Sequence, residues 1–338
     1  MKWLTKDIDY TLSSIYKKNR LMSSYIKIFY SMSVFVSMIL IIILLGSCEE
    51  EITPDVSLQD IEIVVDGHIE MGDGALPPYV ILSHSLPYFG DLSQEELLKS
   101  NIKEAQVTVI YDQKTYPLDK ICLNDLPDVL KAQLAKQLGI DPDQLDGVDY
   151  CFFSDLKGQI PITEGGKYDL TVETEGKTLT STTTIPIGVP LDSLYYKEVP
   201  GAAPKYREMF VRLNPPEGEH FYRYFIGLGN SNPGQTSVRS TFSDKLFSNE
   251  ALDFKLLKPV TRTSERRDPT VFFYQLGDTV TLKWSIIDKS HYRFWRTLEY
   301  NRQNQGPFSS YTRVETNIEG GIGIWGGYRS FVYRTIVQ

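Results

Sequence analysis

Short strand-like segments follow one another along most of this chain, and turn-forming residues separate them. In 105–111 and 168–172, apolar residues alternate with polar ones, which is the pattern of a strand with one buried face. Further segments of this kind are 61–69, 79–83, 178–185, 208–213, 221–228, 279–287 and 330–337. Because several short strands separated by turns are typical of sandwiches, the sequence predicts a mostly β protein.

The strands fall into two groups, and Gly188-Val189-Pro190-Leu191 lies between them. Residues 59–188 are predicted to form a first, immunoglobulin-like or transthyretin-like sandwich, and residues 189–338 a second β-rich, sandwich-like domain. In the second domain, Asp288 is placed to cap one packed helix that runs to about residue 303. Segments 270–275 and 279–287 flank Leu276-Gly277-Asp278 and are predicted to pair as a hairpin. The glycine-rich segment 320–327 is predicted to be a turn region or a site of close backbone packing.

One segment of the first domain has helical spacing instead. Its leucines and valine recur at 126, 129, 130, 134 and 138, and Gly139 follows, so a helical insertion is predicted within 122–151. Cys122 and Cys151 lie at the ends of this insertion. If the third cysteine, Cys48, carries lipid, these two form an even pair, and we expect a disulfide between them. Two buried free thiols are the alternative.

The N-terminal segment has the features of a lipoprotein signal peptide. Residues 28–46 carry no charge, Lys27 precedes them, and Gly46-Ser47-Cys48 ends the run. Residues 1–47 are therefore predicted to be removed, which leaves Cys48 to take acyl chains that anchor it in a lipid bilayer. A transmembrane helix is the alternative reading, because the uncharged run approaches the ~20 residues that span a membrane.

Three glutamates, Glu49, Glu50 and Glu51, begin a predicted acidic tether over residues 48–58. They resemble the export signal with which Bacteroidetes-type bacteria send lipoproteins to the cell surface; the alternative is a solvated linker. The predicted location is the outer membrane, lipid-anchored and facing the cell exterior. The whole chain has a formal net charge of −8, which argues against a nucleic-acid partner, since such binding depends on Lys and Arg.

Few residues indicate chemistry. The four histidines are scattered without metal-ligand spacing and are interpreted as surface or turn residues, and Ser83-His84-Ser85 lacks a nucleophile elbow. The acidic segment 141–149 departs from the EF-hand pattern and is interpreted as a solvated turn, with an irregular Ca²⁺ site as the alternative. We therefore expect no catalytic residues, no metal site and no cofactor. The aromatic residues concentrated in the second domain are attributed mainly to its core, and a binding platform is the alternative.

The segment 317–328, Asn-Ile-Glu-Gly-Gly-Ile-Gly-Ile-Trp-Gly-Gly-Tyr, resembles the closing signature of a Bacteroidetes outer-membrane lipoprotein family, domain of unknown function family 4249. Val65-Asp66-Gly67, the segment 242–247 and Gly277-Asp278-Thr279-Val280 agree with it, while Trp325 stands where a smaller aromatic is expected. The resemblance implies a surface lipoprotein that accompanies a TonB-dependent transporter as a non-catalytic accessory or ligand-capture partner. It implies no ligand and no catalytic residues. A structural or adhesive surface protein without a transporter is the alternative.

Overall fold

The computed structural model describes residues 61–86, 94–129, 150–229, 239–245, 250–259, 269–303 and 313–338. It also describes the single residues 38, 131, 236 and 247. The predicted signal peptide, the acidic tether and the acidic segment 141–149 lie outside the described residues. So does most of the predicted helical insertion. Across the described part the protein is mostly β, as the strand pattern predicted.

The described regular elements are sixteen strands, two α-helices, α1 Gln94–Lys99 and α2 Lys289–Gln303, and two short 3-10 helices, Leu123–Asp125 and Pro269–Phe272. No helix among these residues is long and apolar enough to cross a membrane. The strands are β1 Ile63–Gly72, β2 Tyr79–His84, β3 Gln106–Tyr111, β4 Lys114–Pro117, β5 Asp119–Cys122, β6 Cys151–Ser154, β7 Lys167–Thr174, β8 Lys177–Thr184, β9 Ser193–Glu198, β10 Tyr206–Leu213, β11 Phe221–Leu228, β12 Thr241–Ser243, β13 Leu252–Leu256, β14 Tyr274–Gln275, β15 Thr279–Ile287 and β16 Ile322–Ile336.

An eight-stranded sheet in the order β12-β11-β15-β16-β1-β2-β6-β5 forms the centre of the fold. Its longest strand, β16, pairs in parallel with β1 through its first part and antiparallel with β15 through its second. Two smaller sheets accompany it: β4-β3-β7-β8, and β13-β10-β14 with β9 paired to the other edge of β10. The predicted boundary at 188 falls between β8 and β9, and the eight-stranded sheet takes strands from both sides of it.

Two hydrophobic cores lie on one face of the eight-stranded sheet, which we call the inner face. Since side chains alternate between faces along a strand, Val65 and Trp325 reach the core shared with β3, β7 and β8. By the same alternation, Tyr222 and Trp284 reach the core shared with β10. Each smaller sheet thus packs on the large one in a sandwich-like arrangement.

The hairpin predicted around Leu276-Gly277-Asp278 is wrong, although the turn itself forms. The Asp278 amide donates to the Gln275 carbonyl at 3.0 Å. β14, however, pairs with β10, while β15 pairs with β11 on one edge and β16 on the other. Both edges of β15 are therefore occupied, and the two segments belong to different sheets.

The segment predicted as a glycine-rich turn is strand from residue 322 onwards, and its glycines allow close packing. A Cβ on Gly323, which has φ +117°, would lie 2.0 Å from the Val65 carbonyl oxygen. A Cβ on Gly326 would lie 2.5 Å from the His291 ring. Side chains at these two positions would therefore separate β16 from β1 and from helix α2.

Helix α2 confirms the predicted packed helix and its cap. The Asp288 Oδ1 atom accepts a hydrogen bond from the His291 amide at 2.8 Å, as an N-cap carboxylate does. The helix lies on the outer face of the eight-stranded sheet, opposite the cores, because Gly326 there leaves room for His291. The helix thus forms a ridge on the outer face, and a groove runs beside it.

Candidate functional site

A groove of about 710 Å³ lies between helix α2 and the edge of the eight-stranded sheet at β12; we call it the α2 groove. The helix lines one wall with Lys289, Arg293, Arg296 and Tyr300. Its other described lining residues are Glu219, Phe221, Arg239, Thr241, Lys245, Tyr292, Thr297, Glu299, Gln303 and Glu315.

The helix sequence itself explains why one face of α2 is cationic. Positions 289, 293, 296 and 300 are separated by four, three and four residues, so their side chains share one face. His291 and Trp295 lie on the other face, where His291 is buried. The sequence contains the spacing of these cations, which predicts a cationic helix face. The prediction of the helix rested on the aromatic residues of its packed face and did not include the cations.

Glu299 ties the helix to the strand side of the groove. Its Oε2 atom accepts a hydrogen bond from the Thr241 hydroxyl at 2.9 Å, and its Oε1 atom accepts from the Ser240 amide at 3.2 Å and from the Ser240 hydroxyl. This carboxylate is therefore occupied by three donors. It holds the two walls together, and the cations face the groove beside it.

Positive charges outnumber negative ones among the described lining residues. The cations are Arg239, Lys245, Lys289, Arg293 and Arg296, and the carboxylates are Glu219, Glu299 and Glu315. No carboxylate of the described chain lies within 4.0 Å of the Lys245 or Lys289 ammonium group. Arg293 is 3.9 Å from Glu315, and both are half exposed, so this pair contributes little to stability.

Beneath the helix, a buried arginine holds α2 to the sheet. Arg223 is 6 % exposed, and its guanidinium carbon lies 3.4 Å from the centroid of the Trp295 ring and 4.7 Å from that of Phe225. Its Nη1 atom donates to the Tyr328 hydroxyl at 3.2 Å. Burial lowers the pKa of Arg223, and neighbouring Tyr328 and Glu299 oppose this effect. The two aromatic faces stabilise the desolvated charge through cation–π contacts.

An ion pair crosses the same outer face. Lys283 Nζ lies 2.7 Å from Glu70 Oε1 and 2.8 Å from Oε2, and His68 Nε2 lies 3.3 Å from Oε2. Burial raises the pKa of Glu70, but the hydrogen bonds and charges of His68 and Lys283 outweigh it and lower the pKa to about 2. The carboxylate is therefore ionised and occupied by its neighbours.

His291 corrects the interpretation of the histidines as surface or turn residues. It is buried between the helix and β16, and its Nδ1 atom lies 3.3 Å from the Gly327 carbonyl oxygen. Burial, with the charges of Arg223 and His68, lowers its pKa well below the ordinary value. His291 is therefore neutral and packs between elements.

Of the site residues predicted from the sequence, the structure describes the two cysteines Cys122 and Cys151. Cys48 and the glutamates Glu49, Glu50 and Glu51 lie outside the described residues. Cys122 and Cys151 face each other on β5 and β6, with their sulfur atoms 2.02 Å apart in a disulfide. Since β5 and β12 are the two edge strands of the eight-stranded sheet, the disulfide lies at the edge away from the groove.

The described residues include no group of three or more His, Cys, Asp or Glu side chains placed to hold a metal ion. The aromatic residues divide as follows. Tyr222, Tyr224, Tyr274 and Trp284 are buried, whereas Tyr292 lines the groove.

The fold and the groove define a β-sandwich protein with a groove, lined by more cations than carboxylates among its described residues, beside the helix on the outer face of its central sheet. The sequence matches the family described as Domain of unknown function (DUF4249) over residues 49–334, so the chain belongs to that family. A comparison with curated proteins gives no match.

Proposed function

We propose that this protein is a surface-exposed outer-membrane lipoprotein of the Bacteroidetes type. It acts as a non-catalytic accessory that captures a ligand for a TonB-dependent nutrient transporter. The observation that supports capture is the α2 groove. It is open, has a volume of about 710 Å³ and is lined mainly by polar and charged side chains. Concave surfaces with a few converging polar groups are the usual places where proteins bind ligands.

The chemistry of the groove favours binding over catalysis. Its described lining contains Lys, Arg, Glu, Tyr, Thr, Gln and Phe, and none of these described side chains is the His, Cys or Ser of a nucleophile–base pair. Glu299, which could serve as a base, is occupied by three hydrogen-bond donors. These side chains can hold and orient a ligand.

The lipid anchor predicted at Cys48 supports the location that we propose. Acylation of Cys48 would hold the protein at a membrane, because each buried CH₂ contributes ~0.8 kcal/mol and several chains act together. Glu49, Glu50 and Glu51 would then direct it to the cell surface. A capture protein tethered beside a transporter raises the ligand concentration at the entrance, which is the advantage of effective concentration.

The experiment that tests this proposal is a mild-detergent pull-down of the tagged protein from outer membranes, followed by mass spectrometry. We expect a TonB-dependent barrel in stoichiometric amount. The matched control is Cys48→Ala, which should remain unacylated, leave the membrane fraction and no longer recover the barrel. Recovery of the lipoprotein alone, from membranes rich in such barrels, would contradict the transporter role and favour a structural or adhesive protein.

A further inference from the structure

We infer that the α2 groove binds an acidic oligosaccharide, a linear carbohydrate that carries carboxylate or sulfate groups along its length. This inference rests on the proposed capture function and assigns the class of ligand to the same groove. Three features support it: the spacing of the cations, their free hydrogen-bonding capacity and the exposed tyrosine beside them.

The cations of the helix wall form a row. Lys289, Arg293 and Arg296 lie on one face of α2, with successive Cβ atoms ~5–6 Å apart. The row extends about 10 Å along the helix axis. A ligand with a single charge would engage one of these groups, whereas a linear ligand with repeated charges can engage all three.

These cations have hydrogen-bond donors to offer. Arg296 uses one, Nη1, to donate to the Tyr292 hydroxyl at 3.2 Å, and a guanidinium carries five N–H groups in all. Among the described residues, the one ion pair of Arg293 is that with Glu315 at 3.9 Å. Arginine binds carboxylate and sulfate-like oxygens through two parallel hydrogen bonds, so both side chains can still make this contact.

An aromatic ring continues the row beyond the cations. Tyr300 follows Arg296 by one turn on the same face and is 47 % exposed. Tyrosine combines a flat apolar face with a hydroxyl group, which suits the apolar face and hydroxyl rim of a sugar ring. Cations followed by an exposed tyrosine therefore fit a ligand that is both charged and hydroxylated.

The lining argues against a peptide as the ligand. A peptide that binds through its side chains needs apolar pockets, and the one purely apolar side chain of the described lining, Phe221, is buried against Tyr292. The groove offers charge and hydroxyl-bearing side chains instead.

The test is a titration of the full lipoprotein in detergent with four probes. These are an oligogalacturonate, an oligomeric dextran sulfate, neutral maltoheptaose and polyglutamate. We expect one of the two acidic oligosaccharides to bind, and the comparison between them identifies carboxylate or sulfate. We expect Arg293→Gln with Arg296→Gln to weaken that binding by about tenfold or more, since the variant loses the charge-assisted hydrogen bonds of both guanidinium groups.

The matched control is Arg302→Gln with Arg334→Gln, which removes the same charge from exposed positions outside the described lining. It should leave binding within about twofold, because neither side chain lines the groove and exposed charges contribute little. Equal losses in the two double variants, equal binding of maltoheptaose, or tighter binding of polyglutamate would each overturn the inference.

The outcomes also separate this inference from the proposed function. If no acidic oligosaccharide binds while the pull-down still recovers a TonB-dependent barrel, the ligand class is wrong and the accessory role stands. If an acidic oligosaccharide binds and no barrel is recovered, the groove assignment stands and the transporter role is wrong.

Discussion

The buried carboxylate of Glu70 makes a quantitative prediction about acid stability. Glu70 is 4 % exposed and lies between Lys283 and His68 on the outer face of the central sheet. We consider the substitution Glu70→Gln, which keeps the size of the side chain and removes its charge. The substitution leaves the Lys283 ammonium without its anionic partner in a largely buried position.

The lowered pKa sets the size of the effect and its direction. Folding lowers the pKa of Glu70 from 4.5 to about 2, and each unit corresponds to ~1.4 kcal/mol, so the ionised carboxylate contributes about 3 kcal/mol. Because the folded state has the lower pKa, this contribution is present above pH 4.5 and is lost as the pH falls through about 2.

The assay is urea denaturation of the wild-type protein and the Glu70→Gln variant at a series of pH values from 6 to 2. The wild-type protein should lose about 3 kcal/mol of stability that the variant does not lose as the pH falls from 6 to 2, since the variant lacks the titrating group. The difference between their free energies of unfolding should therefore shrink by that amount. The control is Glu104→Gln: its side chain is 88 % exposed and pairs with Lys120 at 2.7 Å. Its effect should stay below about 1 kcal/mol. A difference for Glu70→Gln that is constant with pH would refute the reasoning.

Three further predictions follow from the close packing, the disulfide and the anchor. Gly323→Ala should lower the free energy of unfolding by about 3 kcal/mol or more, because its Cβ would overlap the backbone of β1. Gly74→Ala, also at positive φ but with open space around it, should cost about 1 kcal/mol in the same denaturation assay. Replacing Cys122 and Cys151 by serine should cost about 3–4 kcal/mol; alkylation of both thiols in the native, unreduced protein would contradict the bridge. Cys48→Ala should move the protein out of the membrane fraction, and a variant that still sediments with membranes would argue against acylation.

Much of the secondary structure could be predicted from the sequence, because strand and helix patterns are local. The strands predicted at 105–111, 168–172 and 279–287 are confirmed as β3, β7 and β15. Asp288 begins helix α2 as its position before the amphipathic segment indicated. Alternation with a period of two, or a capping residue before a period near 3.6, depends only on near neighbours in the chain.

The candidate site could be predicted only in part. The row of cations in α2 is present in the sequence, since their spacing places them on one face. The opposite wall comes from β12 and its flanking residues, among them Thr241 and Lys245, more than 40 positions earlier in the chain. No local pattern shows that Glu299 joins these two segments through Ser240 and Thr241.

The sequence by itself determined the β-rich class, the capped helix and the family to which the chain belongs. The tertiary structure decided that β14 joins β10, that the glycines from 322 to 327 lie in a strand, and that this strand runs parallel to β1. The physical reason is that strand pairing depends on which distant segments bury their apolar faces together. Gly323 shows this dependence. A side chain at position 323 would overlap the carbonyl of Val65, which is far away in sequence and is brought into contact with Gly323 by the fold.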